Sequence, residues 1–435
     1  MIRSMKSLLL PLALCAASTV LGQPLPDAER DDATFDAARL QVMHKTLDRF
    51  VSEGQLAGLI TLVAHDGDIA DIYATGYRDL EKKLPIERNT IFRVYSMTKI
   101  VTAVATLTLM EDGRINLDDP VANYLPELKD LKVLTGGTAS APILEPTSRP
   151  VTIQHLLTHT SGFGYDFLDD KAFGQIYKDA QLFQSTGLSD FVRKAAHVPL
   201  KNQPGEAFYY GINFDLLGAL IERVSGKSFG AYLRERIFNP LQMSDTGFSV
   251  PAEKMNRLAK TYELGPDGKL REAQPMLNVW PEAGRSLESG GAGLFSTADD
   301  FARFAQMLLN GGSLDHKRIL GRKTVELMTT NHLDPEPPTV HGLSDRKGFG
   351  YGVEVTTSLG HSSILTSEGQ FGWYGAASTY CQIDPEENLV AIGLTQRFPF
   401  NANNFFAKFS NGYYQALGTD EDGQEVEPGG RRVGR

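Results

Sequence analysis

Ser96-Met97-Thr98-Lys99-Ile100-Val101-Thr102-Ala103-Val104-Ala105-Thr106-Leu107-Thr108-Leu109-Met110 carries a single charge, on Lys99, before Glu111. Side chains that are apolar or uncharged almost all round predict a helix buried inside a larger domain, stopping near Gly113 and too short to cross a bilayer. Ser96 and Lys99, three residues apart, share a face in the first turn, so hydroxyl and amine are expected side by side. The bare N–H groups of that helix end favour an oxyanion. A lysine in dry surroundings gives up its proton more easily and can take one from a serine. Ser96 is therefore the candidate nucleophile and Lys99 its candidate base; the competing reading is a helix-capping serine beside a solvent-facing lysine. A second Ser-x-x-Lys string, Ser344 to Lys347, lies in the polar stretch HGLSDRKG. With no apolar helix to bury its lysine, that copy is expected to be solvated surface.

The ends of the chain bound the setting. Arg3 and Lys6, then the mostly apolar run Leu8 to Leu21, have the pattern of a secretory signal peptide over residues 1–22, with a cut before Gln23. Leu14 is not the small residue that a lipoprotein site needs before Cys15. The mature chain would keep only Cys381 and form no internal disulfide. A net charge of −10 argues against nucleic acid as a partner. No second apolar run is long enough to span a membrane, so a periplasmic or secreted protein is expected.

Strand patterns cluster at both ends. Phe35 to Val51 reads as a helix, followed by a hairpin of Gly58 to Ala64 and Ile69 to Thr75 around His65-Asp66-Gly67-Asp68. The middle is helix-rich: Gln154 to His159, Phe214 to Val224, Phe229 to Ile237 and Ala298 to Leu309, with Gly162, Gly226 and Gly311 as stops. Strands return at Tyr351 to Thr356, Gly375 to Ile383 and Leu389 to Leu394, and Asn403 to Leu417 closes the domain as a helix. The expected fold class is α+β: an antiparallel sheet built from about 35–95 and 312–418, flanked by helices, with a helical region of about 96–311 inserted. Residues 23–418 then form one domain, and 419–435 a polar, disordered tail.

Four further runs follow the Ser96 motif: QHLLTHTSGFG (Gln154 to Gly164), PGEAFYYGINFDLLG (Pro204 to Gly218), SGGAGLFSTADDFARF (Ser289 to Phe304) and FGWYGAASTYCQIDP (Phe371 to Pro385). In this order the chain closely resembles the serine β-lactamase-like superfamily, which includes class C β-lactamases, D-alanyl-D-alanine peptidases and family VIII carboxylesterases. The resemblance runs from about Phe35 to Leu417. It implies a β-lactamase/transpeptidase-like fold with the site in the cleft between sheet and helical region. It also implies that Ser96 is the nucleophile, Lys99 its partner base and Tyr210 the catalytic tyrosine. A phenol beside an ammonium is favoured as phenolate, and such a pair titrates jointly, so Lys99 and Tyr210 would together move the protons. Tyr209 is the close competitor, and without the motif Tyr210 reads as a packed aromatic. Trp373-Tyr374-Gly375 matches the family's Lys-Thr-Gly or Trp-Gly-Gly segment on an edge strand, a substrate-binding element. By the resemblance, the N–H groups of Ser96 and Ala376 form the oxyanion hole, where losing one donor commonly costs about 3 kcal/mol.

The departures from the lactamase pattern point to substrate. Tyr210-Gly211-Ile212 lacks the asparagine of Tyr-x-Asn, and Trp373 replaces the lysine of Lys-Thr-Gly. Without that amide and cation a lactam's charged group would be poorly paired, which favours a neutral ester. Tyr374 stands where esterases usually have glycine and would narrow the cleft or re-aim the strand. Asn213, one residue late, would need a local shift to act as the missing asparagine. Other motifs have simpler readings. Gly226-Lys227-Ser228-Phe229-Gly230 fits the G-x-S-x-G elbow, but a helix precedes it, so Gly226 reads as a stop and Ser228 as the next N-cap. His155 and His159 have zinc-helix spacing without the glutamate or a third ligand and read as structural, one of them capping the helix end. Asp166, Asp169 and Asp170 read as a solvated loop.

The expectation is a serine hydrolase that cleaves carboxylic esters through an acyl-enzyme on Ser96. It needs no metal and no organic cofactor, and its partner is a small-molecule ester or amide. Amide cleavage, as a β-lactamase or D-amino-acid peptidase, is the alternative within enzymes. A binding or scaffolding protein with a vestigial site is the alternative outside them.

Overall fold

Apolar runs from the two ends of the chain pair with each other. The computed structural model describes residues 23–28, 34–169, 171–285, 287–333 and 347–418. The expected signal peptide, Ser344 and the tail from 419 lie outside the described residues. Elements named below are α1 (Ala37–Ser52), β1 (Gly58–His65), β2 (Asp68–Asp79), β3 (Leu84–Pro85), α2 (Thr98–Glu111), α3 (Asn213–Ser225), α4 (Ala298–Leu309), β4 (Lys347–Phe349), β5 (Glu354–Thr356), β6 (Phe371–Gly375), β7 (Thr379–Asp384), β8 (Leu389–Thr395) and α5 (Phe405–Tyr414).

The strands form one antiparallel sheet in the order β4-β5-β6-β7-β8-β1-β2-β3. Its centre joins the termini, with β1 against β8 from Leu59↔Thr395 to His65↔Leu389. Both strands are buried almost throughout, because helices cover both faces and leave no side for polar alternation. Leu59 and Val63 join Leu47 and Phe50 of α1 and Phe405 and Phe409 of α5 in one core. Ile60 and Leu62 point the other way, into a core shared with α2, α3 and Phe301 of α4. The expected fold class holds: α+β, sheet from both ends, helical region between.

Helix α2 is buried at every residue from Thr98 to Leu109, as its missing charges require. Among the described residues no helix is long and apolar enough to cross a membrane. Cys381 is free and buried in β7.

Three local expectations are corrected. Gly375 to Ile383 is not one strand but a hairpin: Gly375 ends β6, Thr379 begins β7, and Ser378 turns the chain at φ +61°. Trp373-Tyr374-Gly375 is not on an edge strand, since β5 and β4 lie outside β6. Yet β5 pairs only with Phe371 and Gly372, so Trp373 to Gly375 have a strand partner on the β7 side alone. Around Gly136 to Pro150, a stretch to which the sequence assigns no shape, Lys132–Thr138 and Ala141–Pro146 form an exposed hairpin.

Candidate active site

Phe92 and Arg93 pair with Phe295 and Ser296, and a single 3-10 turn, Tyr95–Met97, leads into α2. Tyr95 sits at φ +45°, a left-handed conformation that costs a bulky residue about 1–3 kcal/mol. Burial of its ring with Phe295 and Phe398 holds it there. The turn presents Ser96, half-buried, at the mouth of α2. Lys99 is fully buried one turn on. Its Nζ donates to Ser96 Oγ at 3.3 Å, to the Gly291 carbonyl at 2.8 Å and to the Tyr165 hydroxyl at 3.3 Å. Tyr210 donates its hydroxyl to Ser96 Oγ at 2.8 Å, and Trp373 Nε1 donates to Tyr210 at 3.4 Å. The ammonium also lies 4.5 Å from the Tyr210 ring centre, a cation–π contact. Of the two adjacent tyrosines, Tyr210 reaches Ser96; Tyr209 turns away onto Phe173.

The glycine-rich run after Ser289 is laid along α2 by hydrogen bonds. Thr102 Oγ1 donates to the Gly290 carbonyl at 2.8 Å, Lys99 to that of Gly291, and the Leu294 amide donates to Thr98 Oγ1. Asp215, fully buried on α3, anchors this loop from behind, accepting from Ser289 Oγ and from the Gly291 amide at 3.2 Å. Burial pushes its carboxyl above the usual range, opposed by the Ser289 bond and the Lys99 charge. Neither Tyr165 nor Asp215 was singled out from sequence. Each sits at no fixed spacing from the Ser96 motif, and only the fold brings them to Lys99. Asp215 lies inside the run PGEAFYYGINFDLLG noted above, and Tyr165 directly follows the run QHLLTHTSGFG.

His159 is fully buried at φ +55°, with its ring 4.7 Å from that of Tyr210. Burial, and then the Lys99 charge, holds its imidazole well below the usual pKa, so it is neutral. Asn213 donates to its Nδ1 at 2.7 Å and accepts from Ser161 Oγ. That network ties Asn213 down behind Tyr210. The shift that would make it the missing motif asparagine is not taken. Gly211 leaves no slack for it, since a Cβ there would overlap the Phe163 carbonyl. His155 forms a capping box with Thr152 at the start of Ile153–Leu157, and His159 lies just past the end of that helix, its amide on the Leu156 carbonyl at 3.3 Å.

β6 forms the opposite wall. Gly375 passes so close to Val94 that a Cβ would overlap its carbonyl, and Thr379 Oγ1 donates to that carbonyl at 3.0 Å. Ala376 thereby lines the cleft beside Ser96. Among the described residues neither the Ser96 nor the Ala376 amide meets a backbone acceptor. Tyr374 stacks on Phe406 at 4.8 Å and donates to Glu354 at 3.1 Å, so its ring forms wall rather than obstruction. Lys347 is not solvated surface as expected: it pairs with Glu354 at 3.3 Å and is largely buried, because β4 carries it onto the sheet.

The cleft encloses about 720 Å³ and is lined by Tyr165, Phe167, Leu264, Trp373, Tyr374 and Phe400 among others. Its only carboxylates are Glu263 and Glu354, and its lining holds no lysine, arginine or histidine among the described residues. The other motifs stay outside it. Ser228 caps a short helix by accepting from the Ala231 amide, and Gly226 ends α3 at φ +73°. Asp169 pairs with Lys201 instead of facing solvent, Asp166 is exposed, and Asp170 lies outside the described residues.

A family model described as Beta-lactamase matches residues 43–410. The chain belongs to the beta-lactamase family. Relatives of this beta-lactamase family member include esterases. The lovastatin esterase of Penicillium rubens is 31% identical over 377 residues, covering 81% of this chain and 92% of the relative. Esterase EstB of Burkholderia gladioli is 35% identical over 298 residues, covering 64% and 71%. Among solved structures, EstCE1, described as a hydrolase with promiscuous acyltransferase activity, superposes with a TM-score of 0.73 at 26% identity, covering 87% of this chain and 98% of its own. These relatives support an enzyme of the serine-hydrolase type in this family member.

Proposed function

We propose that this protein cleaves neutral carboxylic esters through an acyl-enzyme on Ser96. One observation carries the reading: Ser96 Oγ lies between the Tyr210 hydroxyl at 2.8 Å and the Lys99 amine at 3.3 Å, at the floor of an apolar cleft without a cation in its lining. Tyr210 and Lys99 take the Ser96 proton as Oγ attacks the ester carbonyl, and return one to the departing alcohol. The amides of Ser96 and Ala376 hold the oxygen of the tetrahedral intermediate. Water, activated by the same pair, then releases the acid.

Charge argues against a β-lactam. Its carboxylate would meet Glu263 and Glu354 and no positive partner in the wall. A second reading, transfer of the acyl group to an alcohol, is favoured by the mostly apolar lining of the cleft, which suits an alcohol with an apolar body, and by the acyltransferase activity named for EstCE1. Residues 1–22 as an export signal, and a periplasmic or secreted location, belong to the same proposal; amino-terminal sequencing of the exported protein tests them.

The test is hydrolysis of a short-chain nitrophenyl ester, with Ser96→Ala as blank and a fluorophosphonate probe to label the nucleophile. Turnover and labelling at Ser96, both lost in the variant, support the proposal. Turnover of a chromogenic cephalosporin without ester turnover overturns it. Added alcohol that diverts the acyl group from water supports the transfer reading.

A further inference from the structure

The Lys99 amine has three acceptors, and one of them, the Gly291 carbonyl, belongs to the glycine-rich loop after Ser289. Thr98 and Thr102 bind that loop from the α2 side, and Asp215 binds it at Ser289 and Gly291 itself. The carboxylate is fully buried, no cation touches it among the described residues, and its Oδ1 accepts from Ser289 Oγ and from the amide of Gly291. Gly291 therefore links the two charges, its N–H on Asp215 and its C=O on Lys99 at 2.8 Å. Oδ2 has no hydrogen-bond partner among the described residues. It points over the Gly291 Cα towards Tyr165: a Cβ at Gly291 would fall 2.7 Å from Oδ2 and 3.0 Å from the Tyr165 hydroxyl. Tyr165 in turn accepts from Lys99. The two routes from Asp215 to the amine, through the loop and past the phenol, meet at one nitrogen.

A buried carboxylate without a cation in contact is costly unless it is well hydrogen-bonded or acts on a charge nearby. Here Oδ1 is hydrogen-bonded twice while Oδ2 is not, and the Lys99 charge offsets part of the burial cost. We propose that Asp215 is the positioning residue for Lys99: through Ser289 and Gly291 it fixes the acceptor that aims the amine at Ser96, and its carboxylate is the counter-charge that sets the pH at which the amine gives up its proton. The proposal rests on Lys99 acting as the base at Ser96. The other titratable groups facing this pair are Tyr165, Tyr210 and His159, with Asp166 beyond Tyr165. His159 is neutral, and burial together with Asp215 holds the Tyr165 hydroxyl well above the usual phenol range. Asp215 is thus a fully buried carboxylate acting on the amine, with Asp166 farther out beyond Tyr165, and with Tyr210 sharing the proton at Ser96.

Asp215→Asn separates the two roles. Its carbonyl oxygen still accepts from Ser289 and Gly291, but the charge is gone. Loss of a neighbouring negative charge lowers the lysine's pKa, so the acid limb of the kcat/KM profile for a nitrophenyl ester should move to lower pH, by about one to three units. Asp215→Ala also frees the loop. Its kcat at the optimum should fall about 100-fold with KM little changed, the cost of a misaimed base. A purely structural aspartate would leave the Asn profile superimposed on that of the wild type, and that result overturns the proposal. Should the Ala variant not fold, the Asn profile decides alone. If the wild type turns over no ester, the esterase reading fails instead; the pH dependence of fluorophosphonate labelling at Ser96 then tests Asp215 independently.

Discussion

Tyr210 and Ser96, 114 residues apart in the chain, are joined by a 2.8 Å hydrogen bond, and Tyr210 is held by aromatic neighbours on several sides. Its ring lies 4.7 Å from His159, 5.4 Å from Tyr165 and 5.6 Å from Trp373. The hydroxyl can thus be removed without moving the ring. Tyr210→Phe should keep KM and the melting temperature near those of the wild type. Its kcat for a nitrophenyl ester should fall about 10²- to 10⁴-fold, the usual yield of a positioned acid–base group. Steady-state kinetics beside thermal melting check this.

Gly375 sets how closely β6 approaches the Ser96 turn, and with it the distance between the two amides proposed as the oxyanion hole. A methyl group there would overlap the Val94 carbonyl, which is backbone and is already bonded to Thr379, so β6 must move away from the Ser96 turn. Gly375→Ala is expected to lower kcat about 10²- to 10³-fold with a smaller change in KM. A variant with wild-type kcat would remove Ala376 from the oxyanion hole.

Glu354 is one of two carboxylates in the cleft wall and is paired with Lys347 behind it at 3.3 Å. Glu354→Gln leaves that lysine uncompensated. Esters whose acyl chain ends in a carboxylate should gain about tenfold in kcat/KM relative to neutral esters of equal length, the size of one partly screened charge contact. The gain should shrink at high salt.

His159 should make stability depend on pH. Its folded-state pKa is well below the ordinary 6.5, so the unfolded chain binds a proton that the folded chain refuses. The contribution is fully present above about pH 6.5 and is lost as the pH falls, with a slope of about 1.4 kcal/mol per unit. His159→Asn suits the left-handed backbone and cannot titrate. Its unfolding free energy, measured by denaturant titration, should be lower than the wild type's at neutral pH and should fall less steeply below pH 6.5.

Much of the fold was legible because burial leaves a mark on composition. The uncharged stretch after Lys99 became a helix buried all round, and Ala298 to Leu309 formed a helix with those same ends. The turn at Ala376 to Ser378 was missed because three small residues, none of them glycine, carry no turn signal; the close packing of Gly375 on Val94 dictates it. Lys347 was misread because the charge that buries it, Glu354, becomes its neighbour only when β4 and β5 pair. The Ser96, Lys99 and Tyr210 grouping could be read from ordered motifs. Asp215 and Tyr165 could not, since what marks them is depth and contact with Lys99 across separate segments.

The pairing of β1 with β8 also governs when the molecule can fold. The central strand of the sheet emerges from the ribosome early and must wait for nearly the whole chain before its partner exists. Its row of apolar side chains and open backbone groups is a sticky edge throughout that interval. Folding should therefore be slow and largely post-translational, and removal of β8 should leave insoluble protein rather than a smaller stable domain.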